Sequence, residues 1–491
     1  MYLGIDLGTS ELKVVLLDER GALQAAEHVR LAVSRPHPGW SEQSPHDWWA
    51  ALQLALDALY ARCPSGLRAL RGIGLSGQMH GAVLLGAQNA VLRPTILWND
   101  NRSAPQCEVL RAADPGLEAL AGNRIMPGFT APKLLWVREH EPEVFSQVSK
   151  VLLPKDYLRL QLTGDYATDC SDASGTLWLD VAAREWSARA LAACDLGVEH
   201  MPLLYEGSAP TGTVRPEWCQ RWGIPRDAVV AAGAGDNAAS AMGLGAVDPG
   251  EGFVSLGTSG VIFLSTAQFQ PKLERAVHAF CHALPHRWHQ MSVMLSAASA
   301  LTWAVRATGQ QDAAALLALV SELSTLQRQN APVFLPYLSG ERTPHDDPYA
   351  TGALVGLLHD HGPAEIGWAV LEGVSFGLLD GWRSLDPLRT AGAAPLGLVG
   401  GGGRSILWAT LLSTVLEQPL VMRQGGDLAA ARGAARLGWL AADGSPLEVF
   451  CSQGEQATMI EPDPRMAPGL QARYARFCQL YPALRAWRSA S

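Results

Sequence analysis

Two segments about half the chain apart carry the same pattern. Tyr2-Leu3-Gly4-Ile5-Asp6-Leu7-Gly8-Thr9-Ser10 and Gly252-Phe253-Val254-Ser255-Leu256-Gly257-Thr258-Ser259-Gly260 each read as an apolar strand entering a Leu-Gly-Thr-Ser turn. A second apolar stretch follows each turn, at 12–17 and at 261–264. Such a duplication restricts the chain to two α/β halves built on the same opening hairpin. A Gly-Thr-Ser hairpin turn offers backbone N–H groups and hydroxyls to a phosphate. Two of them, one per half, predict a polyphosphate held between two lobes.

The 491 residues leave room for two such halves, each with its own core. Hydrophobic residues at 48% and charged residues at 17% are ordinary for a soluble globular enzyme. A net charge of -9 argues against a nucleic-acid partner, which calls for a basic face. The 8 cysteines form no CxxC pair, so reduced core thiols of a cytosolic protein are expected. The chain opens directly on a strand, and every apolar run is interrupted before it could span a bilayer. A cytoplasmic protein with no membrane partner is therefore expected. Only five of the 38 basic residues are Lys, which draws attention to each of them.

Along the first half, Ser44, Pro45 and Asp47 predict a helix start with a capping box. Trp49, Leu52, Leu56 and Leu59 then mark its core face. A strand at 70–75 ends in Ser76-Gly77-Gln78-Met79-His80-Gly81, another covers 82–85, and a third ends at Ile96-Leu97-Trp98-Asn99-Asp100. An apolar run at 228–232 leads to Gly233-Ala234-Gly235-Asp236-Asn237 and a helix at 238–243. Loops just past strand ends are where α/β proteins place ligands. The turn-rich Val247-Asp248-Pro249-Gly250-Glu251-Gly252 sets the division into 1–246 and 247–491. In the second half, helices are expected around 363–380 and 405–417. Between them a strand at 396–399 runs into Gly400, Gly401, Gly402, Gly403, Arg404 and Ser405.

Strand, four glycines and helix make a close-approach device for a flat base or a phosphate. The run matches neither GxGxxG nor a P-loop, so a simple tight turn stays open beside nucleotide binding. Asp6 and Asp236 each end a strand beside glycines. Phosphoryl transfer needs carboxylates so placed, one to organise hydrated Mg²⁺ and one to accept the proton of the attacking hydroxyl. An Asx turn for Asp6 and a helix cap for Asp236 are the structural alternatives. Lys13 either faces outward from its strand or reaches a γ-phosphate. His278, Cys281, His282, His286 and His289 match no zinc spacing, and structural imidazoles on a strand–turn–strand are expected there.

The chain resembles the FGGY carbohydrate kinases of the hexokinase and actin superfamily, within them the branch acting on xylulose. The segments that carry the likeness are Trp40-Ser41-Glu42-Gln43, Gly77-Gln78-Met79-His80-Gly81, Ile96-Leu97-Trp98-Asn99-Asp100, Met126-Pro127-Gly128-Phe129-Thr130-Ala131-Pro132-Lys133 and Leu153-Pro154-Lys155-Asp156-Tyr157. Gly235-Asp236-Asn237-Ala238-Ala239, the stretch from Phe334 to His345, and Gly425-Gly426-Asp427 complete the set. The resemblance implies ATP-dependent phosphorylation of D-xylulose at O5. It implies an α/β fold of two ribonuclease-H-like domains around a central cleft, sugar and base on the first and nucleotide on the second.

By the same resemblance, Asp236 is the general base and Asp6 supports Mg²⁺ and the phosphates, both carboxylates meeting the metal through water. Met79, His80, Trp98, Asn99, Asp100 and Asn237 line the sugar pocket. Gly8, Thr9, Ser10, Lys13, Gly257, Thr258, Gly401, Gly402 and Gly403 face ATP. One departure stands out: where the family helix after the glycine run carries Gln, Asp and a terminal Gly, this chain has Thr410, Thr414 and Glu417. A kinase of ribulose or glycerol, or a nucleotide-driven switch of the chaperone ATPase kind, are the competing readings. Self-association into a homodimer is left open.

Overall fold

The computed structural model describes residues 1–385, 394–423, 425–444 and 457–489. The first half is built on a mixed sheet of β1 (Tyr2–Leu7), β2 (Glu11–Leu17), β3 (Leu23–Arg30), β4 (Gly72–Gly77), β5 (Pro210–Thr213) and β6 (Val229–Ala231). Their spatial order is β5-β6-β4-β1-β2-β3, and the short segment Ala234–Gly235 adds to β4. The second half repeats the plan with β7 (Gly252–Leu256), β8 (Gly260–Thr266), β9 (His278–Cys281), β10 (Trp288–Met294), β11 (Leu396–Val399), β12 (Leu420–Arg423) and β13 (Ala457–Ile460). These lie in the order β9-β10-β8-β7-β11-β12-β13.

The duplication read from the two turns thus extends to topology. In each sheet the opening strand pairs antiparallel with the strand after the turn, and parallel on its other side with a later strand. The opening strand is central in both. Every residue of β1 is buried, as a strand covered on both faces requires, whereas β3 at the sheet edge is mostly exposed or half-buried, with Ala25 alone fully buried among its residues. The halves have separate apolar cores, and a third cluster joins Phe280, Met291 and Val293 of β9 and β10 to Phe129, Leu134 and Trp178 of the first half.

One helix crosses the division. α6 (Ala429–Asp443) belongs to the second half of the chain, yet it packs on β1 and β4 and on α2 (Asp236–Leu244). The approach is backbone to backbone: a Cβ at Gly74 would lie 1.8 Å from the Ala434 carbonyl oxygen. Any side chain there would push the helix off the sheet.

Several local expectations change. α1 (Pro45–Arg62) begins with Pro at its first turn, but the Ser44 side chain makes no capping bond, so the capping box does not form. Trp48, not Trp49, is the fully buried tryptophan of that helix, beside Leu52, Leu56 and Leu59. The strand expected at 70–75 runs from Gly72 to Gly77, and the short strands near 83–85 and 95–96 pair outside the main sheet. Glu417 closes α5 (Ile406–Leu416) in the left-handed conformation, with φ 54. The helix therefore ends where a Gly-terminated one would, with the strain carried by Glu417. Among the described residues no helix is long and apolar enough to cross a membrane.

Candidate active site

The ends of three neighbouring strands bring the two carboxylates together. Asp6 pairs in register with Ser76 and Ser76 with Ala234, while Gly77 pairs with Gly235, one residue before Asp236. Asp6 is buried and its Oδ1 accepts a bond of 3.1 Å from the Ser76 hydroxyl. Asp236 opens α2, with Gly235 as the capping residue, so Asp236 itself is not the cap. Its Oδ1 accepts from the Asn237 amide N at 2.7 Å and from Asn237 Nδ2 at 3.0 Å. Burial lifts the Asp236 carboxyl to about 7, and the neighbouring Asp6 charge adds to the rise. Burial also raises Asp6, against the pull of Lys13.

Lys13 lies opposite Asp6 on β2. Its ammonium is turned to the second half, donating to the Asp427 carbonyl at 2.8 Å and pairing with Glu11 at 3.1 Å. Neither the outward orientation nor an unoccupied ammonium describes it. Gly8 closes the first turn through its N–H to Glu11, and Ser10 is exposed with its carbonyl held by the Leu31 N–H. Thr9 is fully used by neighbours: its hydroxyl donates to Gln78 Oε1 at 3.0 Å and accepts from Trp98 Nε1 at 3.0 Å. Gln43 ties the same web, donating to the Thr9 carbonyl and accepting from Gln78 Nε2 and Trp48 Nε1.

His80 sits just past β4 with φ 71, a left-handed backbone uncommon outside glycine. Three bonds hold it there. Its Nδ1 donates to the Gly175 carbonyl at 2.8 Å, and its own carbonyl accepts from Lys133 Nζ at 2.9 Å and Thr130 Oγ1 at 3.2 Å. Burial drops the imidazole to about 3, helped by the Lys133 and Arg342 charges, so the ring is neutral. With the proton on Nδ1, Nε2 is an acceptor. Met79 lies beside Gly235, and Phe129 meets the His80 ring edge-on at 4.7 Å. Trp98 and Asn99 are exposed. Asp100 differs from expectation: it has 0% exposure and both oxygens are taken, by the Ser41 N–H and by Arg102. Its carboxylate ties this loop to the segment at Ser41.

A cleft of about 1090 Å³ opens on the second half. Its walls include Gly257, Thr258, Thr302, Gly401, Gly402 and Trp408. Gly400 joins the two glycine elements, with φ +93 and a Cβ position only 2.6 Å from the Leu256 carbonyl carbon. Thr258 is exposed, while its carbonyl accepts from the Ala297 and Ser299 N–H groups at the start of α3 (Ala298–Ala307). Ser405 caps α5 through the Trp408 N–H. Gly403 is turned to Leu398 and does not line the cleft. Thr410 and Thr414 also lie off its walls. Thr414 accepts from the Asp463 N–H and bonds the Thr410 carbonyl.

His278, His282 and His289 lie on or between β9 and β10, all neutral through burial. His278 Nδ1 meets Asn123 Oδ1 at 2.8 Å, and His289 stacks on Phe263 at 4.2 Å. Gln43, Gln78, Lys133 and Lys155 stand inside the segments that carry the family likeness and have no role in the sequence pattern. All four are buried beneath the site. The scarcity of Lys was the available signal for two of them.

Profiles of the N-terminal and C-terminal domains of the FGGY family of carbohydrate kinases match residues 1–243 and 252–442. The chain is 51% identical to the xylulose kinase of Escherichia coli (strain K12) over 489 residues, 99% of both chains. It superposes on a xyloylose kinase from Brucella ovis at TM-score 0.94, with 49% identity over 99% of both chains. For the xylulose kinase from Rhodospirillum rubrum the TM-score is 0.91 at 28% identity, again over 99% of both. The duplicated sheets, the facing carboxylates and these matches agree, and the chain belongs to the FGGY family of carbohydrate kinases.

Proposed function

We propose that the protein transfers the γ-phosphoryl group of ATP to O5 of D-xylulose. The observation that carries the reaction is the Asp236 carboxylate, raised to about 7 beside Asp6 at the strand ends that also hold Met79 and His80. D-Xylulose follows from the two named relatives at about half identity over the whole chain. Residues 1–246 then form the sugar and base domain and 247–491 the nucleotide domain.

In this reading ATP lies in the cleft between Gly257, Thr258, Gly401 and Gly402, its phosphates directed at Asp6. Neutral His80 accepts a sugar hydroxyl at Nε2, and Met79 and Trp98 wall the pocket. Asp236 takes the O5 proton as the O5–P bond forms and the bond from the γ-phosphorus to the bridging oxygen breaks. ADP leaves with that oxygen. Asp6 and Asp236 are two close carboxylates, and Lys13, the cation acting on Asp6, is bonded elsewhere. That donor set fits Mg²⁺ held through water. The ion supplies neutralisation of phosphate charge when bound. The chain's own part is to fix the base and to exclude water, which competes with the sugar as acceptor. The cytoplasm, where ATP is made available, is the matching location.

A panel of ketoses and polyols assayed for both ADP and phosphorylated sugar tests the proposal. D-Xylulose should give the highest kcat/KM and a 5-phosphate product. Preference for ribulose or glycerol would replace the substrate, and ADP release indifferent to every sugar would favour a nucleotide switch.

A further inference from the structure

Directly behind the base lies a buried ionic cluster that the proposed mechanism does not use. Lys155 is fully buried, with Nζ 2.6 Å from Asp156, 2.9 Å from Asp169 and 3.2 Å from Asp172. One cation among three carboxylates, all with at most 1% exposure, is an expensive arrangement. Desolvation raises Asp156 and, more strongly, Asp172, against the pull of Lys155. A helix cap alone would not need it, since Asp169 already caps the next short helix by accepting from the Ser171 and Asp172 N–H groups.

The cluster has one exit toward the cleft. The Ser171 hydroxyl donates to Asp169 Oδ2 at 2.5 Å and accepts from the Gly235 N–H at 3.1 Å. Gly235 is the residue before Asp236, on the segment paired with β4 at Gly77. A Cβ at Gly77 would lie 3.1 Å from Lys155 Cβ, so the lysine packs directly against the end of β4. The chain of contacts therefore runs from Lys155 through Asp169 and Ser171 to the Gly235 N–H. Among the described residues the Asp236 side chain has hydrogen-bond partners only in its neighbour Asn237, which moves with it on the same helix end. Nothing in that local pair sets how far the carboxylate stands from the strand ends.

We propose that Ser171, oriented by the Lys155–Asp169 pair, is the positioning residue for the base. Its bond to the Gly235 N–H fixes where Asp236 stands relative to the sugar hydroxyl. Ser171 touches no substrate and takes no proton. This rests on Asp236 being the base, as proposed above. A base displaced by a fraction of an ångström favours small, mobile water over an oriented sugar hydroxyl as acceptor. The consequence is leakage: ATP is hydrolysed to ADP and phosphate in place of transfer to the sugar.

The test is the ratio of sugar phosphate to ADP formed by the parent, Ser171→Ala and Ser171→Thr with saturating D-xylulose and MgATP. The ratio is read only from working molecules, so a lowered folded fraction does not move it. Ser171→Ala should lower kcat at least tenfold, leave the KM for ATP within twofold, and shift the ratio from near one to below one half. Ser171→Thr, which keeps the oxygen, should restore the ratio and most of kcat. A ratio in Ser171→Ala equal to the parent's overturns the proposal, and so does equal leakage in both variants, which would assign the effect to packing. A parent that phosphorylates no sugar would overturn the proposed function instead, and the two failures are told apart by the parent alone.

Discussion

The two Leu-Gly-Thr-Ser turns are nearly identical in sequence and opposite in wiring. In the first, Thr9 spends its hydroxyl on Gln78 and Trp98 and its carbonyl on Gln43. In the second, Thr258 spends only its carbonyl, on the start of α3, and leaves an exposed hydroxyl over the 1090 Å³ cleft. The duplicated element is thus an internal brace in one lobe and part of a cleft wall in the other. The turn supplies the geometry. What surrounds it decides how its groups are used, and around Thr9 the difference is made by Gln43, Gln78 and Trp98.

The largest expected effect sharpens this division by removing the chemistry of the first lobe. Asp236→Asn keeps the size and loses the basicity, so kcat should fall at least about a hundredfold. ATP and xylulose should still bind. Stability should move the other way. A carboxyl held at about 7 lies above the ordinary value near 3.9. Its stabilising effect is complete below that ordinary value and is lost as pH rises through 7. The melting temperature of Asp236→Asn should therefore gain on the parent from pH 4 to pH 7, with a flat gap above. Near-normal turnover in this variant would remove Asp236 as the base.

The same carboxylate sets a pH limb. For the free enzyme kcat/KM should drop about tenfold per unit below pH 7, as a base that must be ionised requires. Asp6 contributes part of the elevation. Asp6→Asn removes that charge, so the residual kcat/KM should show its acid limb at lower pH. A limb that stays in place would mean the two carboxylates do not feel each other.

A paired substitution tests the turn comparison itself. Thr9→Val removes the anchor of Trp98 and should raise the KM for xylulose about fivefold, the scale of one hydrogen bond of about 1 kcal/mol. The KM for ATP should hold. Thr258→Val should do the reverse. Both variants affecting the same substrate would break the assignment of one turn to each ligand.

How much of this was legible follows from chain distance. Both sheets and both carboxylates were, because apolar strands and the glycines beside Asp6 and Asp236 are local signals. On α1 the buried face holds Leu52, Leu56 and Leu59 as expected, but Trp48 takes the place of Trp49, since adjacent tryptophans satisfy the helical pattern almost equally. Asp100 read as a pocket carboxylate because nothing local shows that Arg102, two residues on, folds back onto it; the Ser41 N–H and the Glu42 carboxylate that fix this arrangement come from about sixty residues away. Lys133 and Lys155 run against the rule that Lys stays exposed. Asp156, Asp169 and Asp172 for Lys155, and the carbonyls of Gly128 and His80 for Lys133, make their burial possible.

The smallest effect lies where the second lobe departs from its family. Glu417 ends α5 at φ 54 and ψ 36, a conformation glycine adopts freely and a side chain adopts at a cost of about 1–2 kcal/mol. Its carboxylate also stands at the negative end of the helix dipole, where a further few tenths of a kcal/mol are lost. Against this, glycine loses more backbone freedom on folding, about 0.5–1 kcal/mol. The balance favours Glu417→Gly by about 1 kcal/mol, a rise of about 1–2 °C in melting temperature for a chain of 491 residues. Glu417 does not line the cleft, nor do Thr410 and Thr414. The KM for ATP should therefore stay at the parent value. A change in ATP binding without a change in stability would show that this helix end, and not only the glycine run before it, belongs to the nucleotide wall.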